Sequence, residues 1–164
     1  MNSKKLFIWG FLFMSVIGTL LHFVYEWSGN NSIVRLFAPW NESTWEHMKL
    51  LFFPMLALVL FLFFKLPEQS PIPVALSIGT LVGLALIPIL FYTYTGVLGF
   101  SVMAIDIAIF YLSVLGVFLT GWFLKDNRKL ANRNGLLLTC LVILAILFFI
   151  FSYYPPEIGL FQEP

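Results

Sequence analysis

Long apolar blocks, each of about 18 to 25 residues, alternate with short polar segments along the chain. A block of this length crosses the ~30 Å hydrocarbon core of a bilayer when it is helical. There are five blocks, at about residues 6–27, 44–64, 72–92, 98–124 and 136–154. The third and fourth are separated by only a few residues around Gly96, which predicts an antiparallel hairpin. The pattern predicts an all-α integral membrane protein, a five-transmembrane-helix bundle that forms a single transmembrane domain over residues 1–164.

Composition agrees with this prediction and removes several function classes. The 164 residues are 60% hydrophobic and only 10% charged, whereas soluble domains carry about a quarter charged residues. Cys140 is the only cysteine, so the chain has no internal disulfide and no cysteine-based metal cluster. No phosphate-binding loop or nucleophile motif is present, and no basic patch predicts a nucleic-acid partner. The predicted partner is membrane lipid, and an oligomer is compatible with the sequence.

The distribution of lysine and arginine predicts the orientation of the bundle. Seven of the nine basic residues fall on one side, namely Lys4, Lys5, Lys65, Lys125, Arg128, Lys129 and Arg133. Cytoplasmic loops are enriched in such residues, so the N-terminus is predicted to be cytoplasmic and the C-terminus extracytoplasmic. The stretch N-E-S-T-W-E-H at residues 41–47 then lies outside, at the start of the second span.

Capping explains part of this polar stretch. Ser43 followed by Glu46 matches a capping box, in which the serine accepts a backbone N–H and the glutamate reaches back. Asn41 is an alternative N-cap, and Glu42 and Glu46 suit the positive end of the helix dipole. Capping leaves His47 unexplained.

The end of the first span supplies a second pair of ionisable residues. His22 and Glu26 are four residues apart, on one helical face and about 6 Å apart along the axis. Glu46 and His47 begin the next span, so all four residues are predicted at similar depth. Asp106 is predicted about 12 Å below the same surface, eight residues into the fourth span. Together they predict an outward-facing polar pocket between spans one, two and four.

Three interpretations of this pocket stay open. In the first, His22, Glu26 and His47 ligate a divalent metal such as zinc, because imidazole and carboxylate are both zinc ligands. Alternatively, His22, Glu26, Glu46 and Asp106 act as acid/base groups on a lipid or small amphiphile. The remaining possibility is non-enzymatic: the residues fasten helices in a transporter-like subunit or assembly partner, or they belong to a proton or ion pathway. Further pocket residues are Asn41, Glu42, Trp45 and Lys49.

Gly79 and Gly83 form a GxxxG pattern, which permits two helices to approach closely. Pro54 and Pro88 lie inside the second and third blocks, where proline kinks a helix. These features favour structural roles.

Two segments, L-H-F-V-Y-E-W-S-G-N and F-A-P-W-N-E-S-T-W-E-H-M-K-L-L-F-F-P-M-L, resemble an uncharacterised family of small multi-pass membrane proteins from Gram-positive bacteria. That family is a domain of unknown function, so the resemblance implies a bacterial plasma-membrane location and no activity. The H-F-V-Y-E segment is also similar, at the level of a motif, to the five-span EXPERA proteins, which carry H-x-x-x-E on a later span. That likeness implies a lipophilic pocket with Glu46 or Asp106 as a second acid.

Overall fold

The computed structural model of the chain describes residues 3–164, apart from the side chains of Asn132 and Asn134. Within these residues it consists of helices and their connections, without strands. The long helices are α1 (Ser3–Trp27), α2 (Thr44–Lys65), α3 (Ile72–Leu98), α4 (Met103–Leu124) and α5 (Asn134–Tyr153). Short 3₁₀ helices span Val34–Leu36, Arg128–Arg133 and Gly159–Phe161. All five long helices are long and apolar enough to cross a membrane, which confirms the predicted helix number and class.

Successive helices run antiparallel. Gly79 in the first half of α3 packs against Val117 in the second half of α4, and Glu46 at the start of α2 meets Ser152 at the end of α5. Residues 28–43, 99–102 and 154–164 therefore lie at one end of the bundle, which we call the histidine end. The start of α1 and residues 66–71 and 125–133 form the opposite end, which we call the basic end.

The helix α3 lies at the centre of the bundle and contacts α2, α4 and α5, most extensively α4. Small residues make the α3–α4 approach possible. A Cβ atom on Gly79 would collide with the carbonyl oxygen of Val117, and one on Gly83 would collide with the Val117 side chain. The GxxxG pattern therefore lies at a close helix–helix contact, as predicted.

The helices α1 and α5 form the flanks. About half of the most apolar part of α2 and α3 is buried, compared with 22% for α1 and 17% for α5. Most of the apolar surface of the flanking helices therefore faces outward. A surface of this kind suits contact with lipid, because lipid tails are as apolar as the side chains that face them.

The boundary between α3 and α4 differs from the predicted one, and the difference changes the position of Asp106. The third helix continues past Tyr92 to Leu98 and ends at Gly99, whose φ of 81° is left-handed and whose N–H donates to the Thr95 carbonyl. Because α4 begins at Met103, Asp106 lies in its first turn. The predicted position eight residues into the fourth helix was wrong, because α3 extends to Leu98 and α4 begins at Met103 rather than near residue 98.

Candidate functional site

The start of α2 is organised by Ser43, its N-cap. The Ser43 hydroxyl oxygen accepts the Glu46 backbone N–H at 3.3 Å, which is the predicted first half of the capping box. The second half is absent: Ser43 N–H donates instead to Oδ1 of Asn41 at 3.1 Å. The Glu46 carboxylate accepts the Trp40 N–H at 3.4 Å. Asn41 therefore shapes the turn before the helix, and Glu46 is free to face the protein interior.

On the other face of the first turn, His47 lies between Glu42 and α1. Its Nε2 atom is 3.3 Å from Oε2 of Glu42, and its ring meets that of His22 edge to face at a centroid distance of 5.2 Å. The two histidines thus come from different helices, as their common predicted depth requires. His47 and His22 are half-buried, whereas Glu42 is exposed.

The orientation of the His47 ring decides what its two nitrogens can do. Nδ1 lies 3.0 Å from the backbone carbonyl oxygen of Ser43, which can only accept, so Nδ1 carries a proton. In the neutral ring with the proton on Nδ1, Nε2 carries a lone pair, and this lone pair faces the Glu42 carboxylate. Two acceptors at 3.3 Å repel each other unless a positive charge lies between them. Either a second proton or a metal cation meets that requirement.

The charge state of Glu42 fits this arrangement. Its hydrogen bond from His47 lowers the pKa of the Glu42 carboxyl, partial burial opposes that effect, and the charges of His47 and His22 lower it further. A carboxyl whose pKa lies below its ordinary value is ionised near neutral pH. Glu42 therefore presents a carboxylate to both imidazoles.

His22, Glu42 and His47 are a chemically suitable metal set. One ligand atom from each lies within 4.8 Å of the other two. Ligands of one zinc ion lie at 2.0–2.2 Å from it, so two of them are at most about 4.4 Å apart, which is close to the separation within this group. Two histidines and a glutamate leave one tetrahedral position open, as in catalytic zinc sites. The Nδ1–H bond to a backbone carbonyl is the outer-shell contact that fixes a ligating imidazole.

Glu26, the acid predicted as the third ligand, does not belong to this group of three. It lies one turn beyond His22 on α1 and is exposed. Glu42, predicted only as a further pocket residue, lies near both histidines. The i, i+4 spacing on α1 predicted His22 and Glu26 together, whereas in the structure His22 lies near Glu42 from the loop that precedes α2; the metal-binding role of these residues stays a prediction.

A second polar cluster, which we call the buried cluster, surrounds Lys49 on the face of α2 toward α5. The Lys49 ammonium is 2.5 Å from Oε2 of Glu46 and 2.5 Å from the Ser152 hydroxyl. It also donates to the Arg35 carbonyl oxygen at 2.9 Å. All three ammonium donors have partners, and the side chains of Lys49 and Glu46 are 0% and 2% exposed. Glu46, predicted as an acid/base candidate, is thus one partner in a buried ion pair.

Arg35 completes the buried cluster. Its guanidinium donates to the Ser152 carbonyl oxygen at 2.6 Å and lies 3.7 Å from the centre of the Trp40 ring. Arg35 and Lys49 are the two basic residues of the predicted outer side, and both have a local partner in this cluster. Sequence inspection missed Arg35 and Ser152, although a serine in the last turn of an otherwise apolar block was a usable signal.

Trp45 and Asp106 have structural surroundings. Trp45 is buried against α5 and the C-terminal segment, with its ring 4.5 Å from that of Phe148 and 4.9 Å from that of Phe161. Asp106 accepts a hydrogen bond from the Tyr94 hydroxyl, which itself accepts the Val102 N–H at 3.0 Å. The Asp106 carboxylate thereby holds the α3–α4 turn.

The histidines line neither of two surface grooves described among residues 3–164. A groove of about 380 Å³ lies instead between α1 and α4 and is lined by Lys4, apolar side chains and Trp122. At the histidine end, His22 and His47 are half-buried and Glu42 is exposed, and a pocket between the first, second and fourth helices stays a prediction.

The fold and the sites define an all-helical protein whose five long helices have the length and composition of membrane spans. The chain belongs to a family of unknown function, DUF6512, whose profile matches residues 1–164. This confirms the resemblance to an uncharacterised family and extends it to the whole chain. No curated protein and no solved structure matches the chain. The Gram-positive origin and the likeness to EXPERA proteins stay predictions.

Proposed function

We propose that the chain is a multi-pass protein of the bacterial plasma membrane, with its N-terminus in the cytoplasm and its histidine end outside. Five antiparallel apolar helices support insertion. The basic end carries seven of the nine lysine and arginine residues, which supports its cytoplasmic placement. Labelling of single cysteines with a membrane-impermeant reagent tests the orientation, in a Cys140→Ser background. A cysteine at Ser28 should react in intact cells and one at Asn127 only after lysis, and the reverse pattern would overturn the orientation.

We further propose that the histidine end binds one divalent cation, of the zinc type, through His22, Glu42 and His47. The observation that carries this proposal is the His47 ring, whose Nδ1 is committed to the Ser43 carbonyl while Nε2 faces an ionised Glu42. The second imidazole, from His22, directs a further potential ligand to the same space. A proton between His47 and Glu42 would satisfy that pair, but it would not account for the His22 imidazole beside them.

The open position of the site faces surroundings that suit an amphiphile. The His22 ring stacks on Phe23 at 5.2 Å, and Phe23 stacks on Trp27 at 5.7 Å. Phe23 and Trp27 are exposed apolar side chains at the predicted membrane–water interface. When bound, the metal would supply Lewis-acid chemistry toward a carbonyl or phosphoryl oxygen. We therefore propose that the site binds or acts on the polar group of a lipid or small amphiphile.

Metal titration of the purified, chelator-treated protein tests the site. Zinc or cobalt should bind with a stoichiometry near one, and the absorption of bound cobalt should report a site of low coordination number. His22→Ala, His47→Ala and Glu42→Gln should each abolish this binding. Glu26→Gln is the matched control, since Glu26 is an exposed acid one turn from His22. Stoichiometric binding that survives His22→Ala, or no binding in the native protein, would overturn the metal site.

The alternative is that a proton links His47 and Glu42 and the cluster only fastens α1 to α2. The 3.3 Å distance between these two groups favours it as the second candidate. In that case metal would not bind, and His47→Ala would lower stability without altering any ligand affinity. A proton or ion pathway stays a further prediction, which flux measurements in liposomes test.

A further inference from the structure

The groove between α1 and α4 lies at the basic end, away from the candidate metal site. Its walls are apolar and largely aromatic, with Phe7 and Phe11 on α1 and Leu119 and Trp122 on α4. The walls are held by edge-to-face contacts, such as Phe7 with Trp122 at 5.5 Å. Gly10 allows this packing, because a Cβ atom there would collide with the Phe118 ring. The groove is thus a built feature of the helix pair rather than a gap between mobile side chains.

The dimensions of the groove suit one extended chain. Its lining on α1 runs from Lys4 to Leu12, which is about 12 Å at 1.5 Å per residue. One leaflet of the hydrocarbon core is about 15 Å thick, so the groove covers most of the leaflet.

Positive charge lies at the mouth of the groove. Lys4 lines its end, and the Lys125 ammonium is 4.2 Å from the centre of the Trp122 ring. Lys125 also pairs with Asp126, but an ammonium has three donors and so retains capacity for a second acceptor. The loops beside it add Arg128 and Lys129. A phosphate group placed here would meet opposite charge while its acyl chain lay along the apolar walls.

We propose that this groove binds one anionic phospholipid of the cytoplasmic leaflet, with an acyl chain against Phe11 and Leu119 and the phosphate at Lys4 and Lys125. The proposal rests on the membrane insertion and orientation proposed above and is independent of the metal site. Anionic lipids are concentrated in the cytoplasmic leaflet, and each nearby lysine contributes about 1 kcal/mol to their attraction.

Native mass spectrometry of the detergent-purified chain tests the proposal, with phosphatidylglycerol and phosphatidylcholine of identical acyl chains as probes. We expect one retained phosphatidylglycerol per chain and weaker retention of phosphatidylcholine. Lys4→Gln and Lys125→Gln should each lower the affinity for phosphatidylglycerol roughly fivefold. Lys65→Gln is the matched control, because Lys65 lies at the same end over the Phe61 ring and outside the groove.

A second pair of variants tests the acyl chain. Leu119→Trp fills the groove and should abolish retention, whereas Leu112→Trp, on the same helix with similar exposure and outside the lining, should not. Equal retention of the two lipids, or equal losses in the lysine variants and Lys65→Gln, would overturn the proposal. So would a disulfide-linked dimer through Leu119→Cys in a Cys140→Ser background, which would show a second copy in the groove. Loss of metal binding alone would leave this proposal intact.

Discussion

Two polar clusters begin at neighbouring residues of α2 and differ in almost every other respect. Glu46 turns toward α5 and pairs with Lys49, and the two side chains are 2% and 0% exposed. His47 turns toward α1 and meets Glu42 and His22 at a half-exposed position. In the buried cluster all three donors of the Lys49 ammonium have a partner within the chain, whereas Nε2 of His47 and the Glu42 carboxylate lie 3.3 Å apart and need a proton or a cation between them. The pairing of the buried Lys49 ammonium favours a structural role, and the half-exposed position of the histidine cluster suits the binding role proposed above.

The largest effect is expected from breaking the buried cluster. Lys49→Ala leaves the Glu46 carboxylate buried without its cation, and breaking such a pair costs about 3–5 kcal/mol of unfolding free energy. Chemical or thermal unfolding of the protein in detergent measures this cost. The double variant Glu46→Leu with Lys49→Met is the control, because it removes both charges and should recover most of the stability. If Lys49→Ala were as stable as the native protein, the assignment of a structural role to this cluster would fail.

The histidine cluster should respond to metal rather than to substitution alone. Zinc at about 100 times its dissociation constant should stabilise the native protein by about 2.7 kcal/mol, seen as a raised unfolding midpoint. The same zinc concentration should not stabilise His22→Ala, which lacks a ligand. Stabilisation of equal size in both proteins would mean that the metal binds elsewhere.

Ser43 contacts one residue of each cluster through a different atom. Its hydroxyl accepts the Glu46 N–H, and its carbonyl accepts His47 Nδ1–H. Ser43→Ala removes the hydroxyl that caps the Glu46 N–H and should cost about 1 kcal/mol of stability. The Ser43 carbonyl, which accepts His47 Nδ1–H, is unchanged, so zinc affinity should stay within about twofold if the backbone keeps its position. Unfolding and zinc titration of the same preparation measure both quantities. A large loss of zinc affinity would show that the cap, and not the carbonyl alone, positions His47.

The smallest effect is expected at Glu26, which is outside both clusters. Glu26→Gln at this exposed position should change stability by no more than about 0.5 kcal/mol and leave zinc affinity unaltered. A loss of zinc affinity comparable to that of Glu42→Gln would restore Glu26 as a ligand and break the comparison between the two clusters.

Much of the fold was predictable because it depends on local and additive properties. Block length and hydropathy predicted five helices, and the Gly79–Gly83 pattern predicted a close contact that joins α3 to α4. The boundary at Gly99 was not predicted, because apolar and aromatic residues on both sides fit either helix. Only the left-handed turn at Gly99 and the Tyr94–Asp106 hydrogen bond decide where α3 stops.

The candidate site was predictable in part for the same reason. Equal depth along two antiparallel helices was sufficient to bring His22 and His47 together, since depth follows from residue number alone. Which acid joins them depends on the path of residues 28–43, and that path places Glu42 beside His47.

Composition and residue spacing were sufficient to predict the helix number, the approximate spans, the asymmetry of basic residues and the common end of the two histidines. These properties depend on the hydropathy of each residue and on its position along the chain, and neither requires knowledge of helix packing. The side-chain partners depend on the packing of the helices: Glu42 lies with the histidines, Glu46 with Lys49 and Ser152, and Asp106 with Tyr94. Rotation of each helix about its axis separates neighbours such as Glu46 and His47 by about 100°, and that rotation is decided by packing against the other helices.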